Sequence, residues 1–190
     1  MVLLALFMII LLVVVFVVGA WFVGIYNKLV SERNEVKNSF SQIDVQLKRR
    51  YDLIPNLINT VKGYMTHERE TLENITKLRQ QAINISDDNV ASKSKVESLL
   101  SQSLKSVFAL AENYPDLKAS QNFVQLQEEL ASTENKISFA RQYYNDSVMK
   151  FNTSVELFPN SIVAGMCGFS KSEFFEVENP EERQNVKVSF

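Results

Sequence analysis

The sequence predicts an all-α protein: one N-terminal transmembrane helix continuing into a long antiparallel four-helix bundle, followed by an irregular C-terminal tail. Three observations carry this. The opening run MVLLALFMIILLVVVFVVGAWFVGI has no charged residue, and only Gly19 and Gly24 fall outside the apolar class. Beyond it, apolar residues recur at alternating three- and four-residue intervals, the spacing of a helix face that packs on other helices. Gly 5 and Pro 4 in 190 residues are too few for a sheet sandwich or a disordered chain. Three segments follow: a span over 1–25, a bundle over 26–158, and a short helix with an irregular tail over 159–190.

At ~1.5 Å per residue, the first segment makes a helix of roughly 37 Å, enough to cross a ~30 Å hydrocarbon core with some tilt. A cleaved signal peptide is the competing reading. It fits poorly, because no basic stretch precedes the apolar run, the run is long, and no small-x-small cleavage site follows it. Trp21, Phe22 and Tyr26 mark the interface at its far end. No glycine or proline interrupts Tyr26 to Ile54, so the span is expected to continue as one helix. Its seam is read through Leu29, Val36, Phe40, Ile43, Leu47, Tyr51 and Ile54, with Arg33 in the one polar slot.

In RRYDLIPNL, Asp52 can cap a helix and Pro55 can occupy its first turn, so a turn and a new helix are expected there. The rival is a proline kink in a continuing helix. The second helix is read through Leu57, Ile58, Val61, Met65, Leu72, Ile75, Leu78 and Ala82, with Gly63 inside it, and ends at NISDDN. A third runs through Val96, Leu99, Leu100, Leu104, Val107, Phe108 and Ala111 to Pro115. The fourth has the clearest heptad stripe, Phe123, Leu126, Leu130, Thr133, Ile137, Ala140, Tyr144, Val148, Phe151, Val155 and Phe158, stopped by Pro159. Short connections between such helices favour antiparallel packing.

Lys28, Arg33 and Lys37 follow the span closely, with Lys48, Arg49 and Arg50 beyond. The positive-inside rule then places the helical domain in the cytoplasm and the N-terminus outside. The same Lys28, Arg33 and Lys37 are candidate contacts for anionic head groups.

The stretches YNKLVSERNEVKNSFSQIDVQLKRRYDLIPNLINTVKGYMTHE, YPDLKASQNFVQLQEELASTENKISFARQYYNDSVMKFN and FPNSIVAGMCGF resemble the LemA family of bacterial membrane proteins, over nearly the whole chain and in the right order. Ser39-Phe40 stands where many members have Ala-Trp, and Phe151 where many have Tyr; both keep the packing chemistry. The resemblance implies one span in the cytoplasmic (inner) membrane and a long antiparallel bundle. It supplies no activity. Members are often encoded near membrane metalloproteases and one branch is associated with building magnetosome membranes, which implies a membrane scaffold or adaptor.

The residues themselves offer little for catalysis. Lys+Arg 20 against Asp+Glu 22 gives a net charge of -2, which argues against a general nucleic-acid binder. With Cys 1 and His 1 there is no disulfide framework and no multi-histidine metal site. His67-Glu68 lacks the second histidine of a zincin helix. Cys167 has only the distant His67 as a base and reads as an inert packed thiol. GAWFVG lies inside the span, so no phosphate loop exists. Glu128-Glu129 and Glu181-Glu182 are neighbours in sequence and diverge on a helix. No catalytic residue, metal or cofactor is assigned, and an enzyme is not expected.

Polar residues beside the apolar seams are the notable feature. Glu134, Asn135, Arg141, Asn145 and Asn152 flank the fourth helix, while Arg49, Arg50, Asp52 and Asn56 cluster at the first expected turn. Glu134 and Arg141 are seven residues apart, as are Asn145 and Asn152, two turns along one face. These residues either fix helix register or form a polar network that contacts a partner peptide or lipid head group. In the tail, Phe169, Phe174, Phe175 and Phe190 are expected to pack on the bundle, or to dock on another subunit. Two function classes follow: a self-associating structural protein that organises the membrane, or an adaptor or regulator of a membrane protease or other membrane protein. The lipid bilayer and further copies of the chain are the expected partners.

Overall fold

A computed structural model describes residues 2–65, 67–86 and 89–176. Six helices follow one another: α1 (Val2–Val61), α2 (Arg69–Asn84), α3 (Val90–Ala111), α4 (Pro115–Lys118), α5 (Gln121–Glu156) and α6 (Asn160–Cys167). The described residues contain no strand. The all-α reading holds, and so does the uninterrupted passage of the apolar N-terminal segment into the polar part of the same helix. That segment is long and apolar enough to cross a membrane, and its apolar stretch is not buried.

The expected turn at Asp52–Pro55 does not exist: α1 runs through Pro55 to Val61. Proline lacks the N–H that would bond the carbonyl four residues back, which here is Tyr51 O. The Arg79 Nε–H donates to that carbonyl at 2.7 Å, so a side chain from α2 replaces the missing backbone donor. The reversal comes later, where Tyr64 N and Met65 N both bond Val61 O at 2.9 Å. Gly63 therefore lies in this turn and not inside a helix.

The chain divides into two compact units, Met1–Ser39 with Asn145–Ser172, and Phe40–Tyr144 with Glu173–Phe190. In the first, Ile25, Leu29 and Val36 of α1 are buried, as are Val148, Phe151, Val163, Ala164 and Phe169. The seam passes through Glu32 and not Arg33: Glu32 is buried, whereas Arg33 is exposed with its guanidinium 5.1 Å from the centre of the Phe169 ring. Ser39 is also inside, its hydroxyl donating to Val36 O at 2.8 Å. The expected stripe had drifted by one residue at both points, because helix faces three and four residues apart overlap. Gly168 closes α6 in the left-handed conformation, φ 71°, which glycine reaches at least cost. Cys167, expected to be packed, is exposed, and Phe158 lies outside the core at the end of the heptad stripe.

In the second unit, Leu47, Ile54 and Leu57 of α1, Ile75 of α2, Leu100 and Val107 of α3 and Ile137 of α5 are fully buried, and α2 packs along α3. The Phe40 and Tyr144 rings meet edge-on at 5.6 Å, and ten residues further along α1 Arg50 meets Glu134, ten residues back along α5. Those two contacts set α1 and α5 antiparallel in this unit. The Asn89 side chain accepts from Ser92 N at 3.1 Å and caps α3. The short α4 was not anticipated; Pro115 starts it instead of merely ending α3. Leu99, expected inside, is exposed. Of the tail, Phe175 is buried and Phe174 partly exposed, while Phe190 and Glu181-Glu182 lie outside the described residues.

Candidate functional site

Arg50 follows Leu47 by one turn on the buried face of α1 and is itself 1 % exposed. A guanidinium in that position is tolerated only if its charge and donors are matched. Glu97 of α3, equally buried, takes one end of it, and Glu134 of α5 takes the other at 2.6 Å. The Ser101 hydroxyl sits between them, accepting from Arg50 at 2.8 Å and donating to Glu134 at 3.0 Å. The Tyr51 hydroxyl donates to the second oxygen of Glu97. Arg141, one heptad after Glu134, reaches that carboxylate at 3.5 Å and lies 5.8 Å over the Phe175 ring. Two guanidinium groups thus face two carboxylates across α1, α3 and α5. Burial pulls the Arg50 guanidinium below its usual value, while Glu134 and Tyr51 raise it again and Arg141 adds to the lowering. One donor, Arg50 Nε, is buried without a partner.

A second buried cation lies on the same stripe of α3. Lys93 pairs with Asp44 at 2.9 Å, and its ammonium stands 5.3 Å from the centre of the Phe40 ring. Lys93, Glu97, Leu100 and Leu104 occupy successive seam positions, so two of the four are charged. Their spacing was the readable signal for Glu97 and Lys93, which a stripe drawn through apolar residues alone leaves out.

The structure brings together Arg50, Glu134 and Arg141, but not the rest of the predicted set. Arg49 is half exposed and 3.9 Å from Glu129. Asp52 and Asn56 are exposed on the outer face of α1, as is Asn135 on α5. Asn145 is half-buried and belongs to the other unit. Asn152, also in that unit, is buried and clasps Ser172 from both sides, donating to its carbonyl at 2.9 Å and accepting from its N–H at 2.8 Å. Lys28 and Lys37 are exposed, as Arg33 is.

The second unit also carries an open cleft of about 890 Å³ between the end of α1 and α2. Ile58, Met65 and Leu72 line its apolar part, and Lys62, Arg69 and Lys77 stand among its polar residues, with Arg69 paired to Glu73 at 2.6 Å.

The fold and cluster define a class: a helical protein with one N-terminal helix able to span a membrane and a domain knit by a charge-balanced core. Comparison with known proteins narrows it. The model of the LemA family matches residues 39–190. Protein LemA of Metamycoplasma hominis is 33% identical over 171 residues, which is 88% of this chain and 76% of the relative. The chain belongs to the LemA family. It is also similar to the magnetosome protein MamQ of Magnetospirillum gryphiswaldense, 20% identical over 175 residues, or 79% of this chain and 64% of that protein. Magnetosome protein MamQ 1 of Paramagnetospirillum magneticum matches at 20% over 176 residues, 80% of this chain and 64% of the relative. The chain therefore spans just under two thirds of the MamQ proteins.

Proposed function

We propose that this chain is a membrane-anchored scaffold that self-associates and organises the bilayer or partner proteins by contact, with no bond-breaking activity of its own. The observation that carries the reading is α1 itself, in which a lipid-compatible segment and a buried, ion-paired segment share one helix without a break. An anchor joined through a loop would interrupt the helix between the two; α1 continues from one into the other. In the same reading the Arg50–Glu97–Glu134 cluster sets the mutual register of α1, α3 and α5, because a slip of one turn would strand buried charges. The helical domain faces the cytoplasm at the inner membrane, on the strength of Lys28, Arg33 and Lys37 after the span. The MamQ relatives, named as magnetosome proteins, are in keeping with a membrane-associated protein.

The cleft beside α2 favours a second reading, in which the chain is an adaptor that presents a peptide or a regulatory surface to a membrane-bound protease. Cross-linking in native membranes followed by mass spectrometry separates the two. Homotypic cross-links, with a stable oligomer in detergent in the absence of other proteins, support the scaffold. Co-purification of a protease at fixed stoichiometry, from a chain that is otherwise monomeric, supports the adaptor.

A further inference from the structure

Between Glu156 and Lys171 the chain reads LFPNSIVAGMCGFS, with no charged residue. It forms the turn that follows α5, then α6 and the residues just after it. One side of α6 is spent on the core through Val163 and Ala164, both buried. The other is not: Ile162 and Met166, four residues apart on one face, are 53 % and 73 % exposed, and Phe158 and Leu157 in the preceding turn are 80 % and 56 % exposed. A contiguous apolar surface of this kind is unfavourable in water and marks a contact with something apolar.

Its place in the first unit identifies that something. Lys150 pairs with Glu35 of α1 at 2.9 Å, and after α6 the Phe169 ring packs edge-on against Tyr26 at 5.8 Å. The chain from Lys150 to Phe169 thus moves nine positions along α1 toward the apolar run, about 14 Å at the helical rise. It stops at Tyr26, immediately after Ile25, the first residue of α1 that is buried; from Val2 to Gly24 the helix is almost entirely exposed. The outward face of the hairpin therefore lies where the span leaves the hydrocarbon. Lys28 follows Tyr26 by two residues, and the Arg33 guanidinium stands 5.1 Å from the centre of the Phe169 ring.

We propose that residues 157–169 are a second membrane contact, an interfacial hairpin whose Phe158, Ile162 and Met166 side chains enter the boundary between head groups and acyl chains beside the span, with Lys28 and Arg33 toward the lipid phosphates. Amphipathic elements bind bilayers in this way by burying an apolar face a few ångströms deep, and flanking cations add attraction to anionic lipid. Two contacts at separate points on the surface fix the tilt and rotation of α1, which one span alone leaves free. The inference goes beyond the scaffold reading and is independent of it, since the hairpin meets lipid whether or not copies associate and on whichever side of the membrane the domain lies.

Cys167 is the single cysteine, exposed at the end of α6, and is a ready reporter. The full chain, labelled there with an environment-sensitive nitrobenzoxadiazole dye, is reconstituted in phosphatidylethanolamine–phosphatidylglycerol vesicles. Quenching by lipids carrying a nitroxide high on the acyl chain is compared with quenching by aqueous iodide. The expected result is a blue-shifted emission, with lipid quenching several-fold above that of the same label in the Phe158→Glu/Ile162→Glu/Met166→Glu variant and iodide quenching correspondingly weak. Those three side chains are exposed, and far-ultraviolet circular dichroism checks that the variant keeps its helices. Free access of iodide with no lipid quenching in the unsubstituted chain overturns the proposal. So does shielding that disappears when the protein is diluted in excess lipid, which would make the face a contact between copies.

Discussion

Removing the Arg50 guanidinium leaves the Glu97 carboxylate buried at 1 % exposure without its counter-charge, the Tyr51 hydroxyl bonding one of its oxygens. Arg50→Ala is expected to cost about 3–5 kcal/mol, the range for breaking a buried pair from one side. Replacing the three together, Arg50→Met with Glu97→Leu and Glu134→Leu, should restore much of the loss, since an apolar core of similar volume needs no counter-charge. Arg141→Met is expected to be mild, about 1 kcal/mol or less, because Glu134 keeps Arg50 and Ser101. Thermal unfolding of the full chain in detergent measures all three; an Arg141→Met chain as unstable as Arg50→Ala would sink this division of roles. A pH series tests another residue. Burial, and secondarily Glu173, holds the Tyr144 phenol above its ordinary value of about 10. The folded state keeps that proton after the unfolded chain has lost it, so stability is undiminished below about pH 10 and falls as pH rises toward the folded value. Tyr144→Phe should melt lower at neutral pH, for want of the 2.8 Å bond to Glu173 O, yet lose stability more slowly above pH 10. At this scale the sequence was legible where spacing within one helix sufficed: Glu134 and Arg141, seven apart, do pair. The place of Glu97 on the α3 seam was readable, but its pairing with Arg50 was not, because that pair joins two helices and nothing local says which charge meets which.

Pro55 shows the same limit for elements. Its local chemistry favours a helix start, and a reader of α1 alone has no donor to offer Tyr51 O. The donor belongs to α2, so a tertiary contact decides whether the helix stops or continues. Energetic coupling between the two residues follows. Arg79→Met in the natural chain leaves Tyr51 O without its donor and should cost about 1–3 kcal/mol. In a Pro55→Ala background the restored Ala N–H bonds that carbonyl, and the same Arg79→Met should cost little. A double-mutant cycle on unfolding free energies reads this directly; additive effects would mean that Arg79 does not stand in for the lost N–H. The long stripe of α5 and the break at Pro159 needed no such help, because heptad spacing is written within one segment.

For the molecule as a whole, the helix able to cross a membrane was legible and the associations were not, for a physical reason. Transfer into hydrocarbon depends on the composition of a single run, whereas partner choice depends on surfaces assembled from several helices and on a second molecule. Orientation lies between these: it is encoded in the cations after the span, but Glu32 and Glu35 are interspersed with them. Glu35 is paired to Lys150 and Glu32 is buried, while Lys28, Arg33 and Lys37 are exposed on the following turns. The proposed cytoplasmic side rests on lysine and arginine close to the span, to which acidic residues add little. In spheroplasts, a tag fused after Phe190 should resist added protease until the membrane is permeabilised. Digestion from outside in intact spheroplasts would reverse the topology, and Lys28→Glu/Arg33→Glu/Lys37→Glu, by removing the positive bias, should move a measurable fraction of the tag to the exposed side.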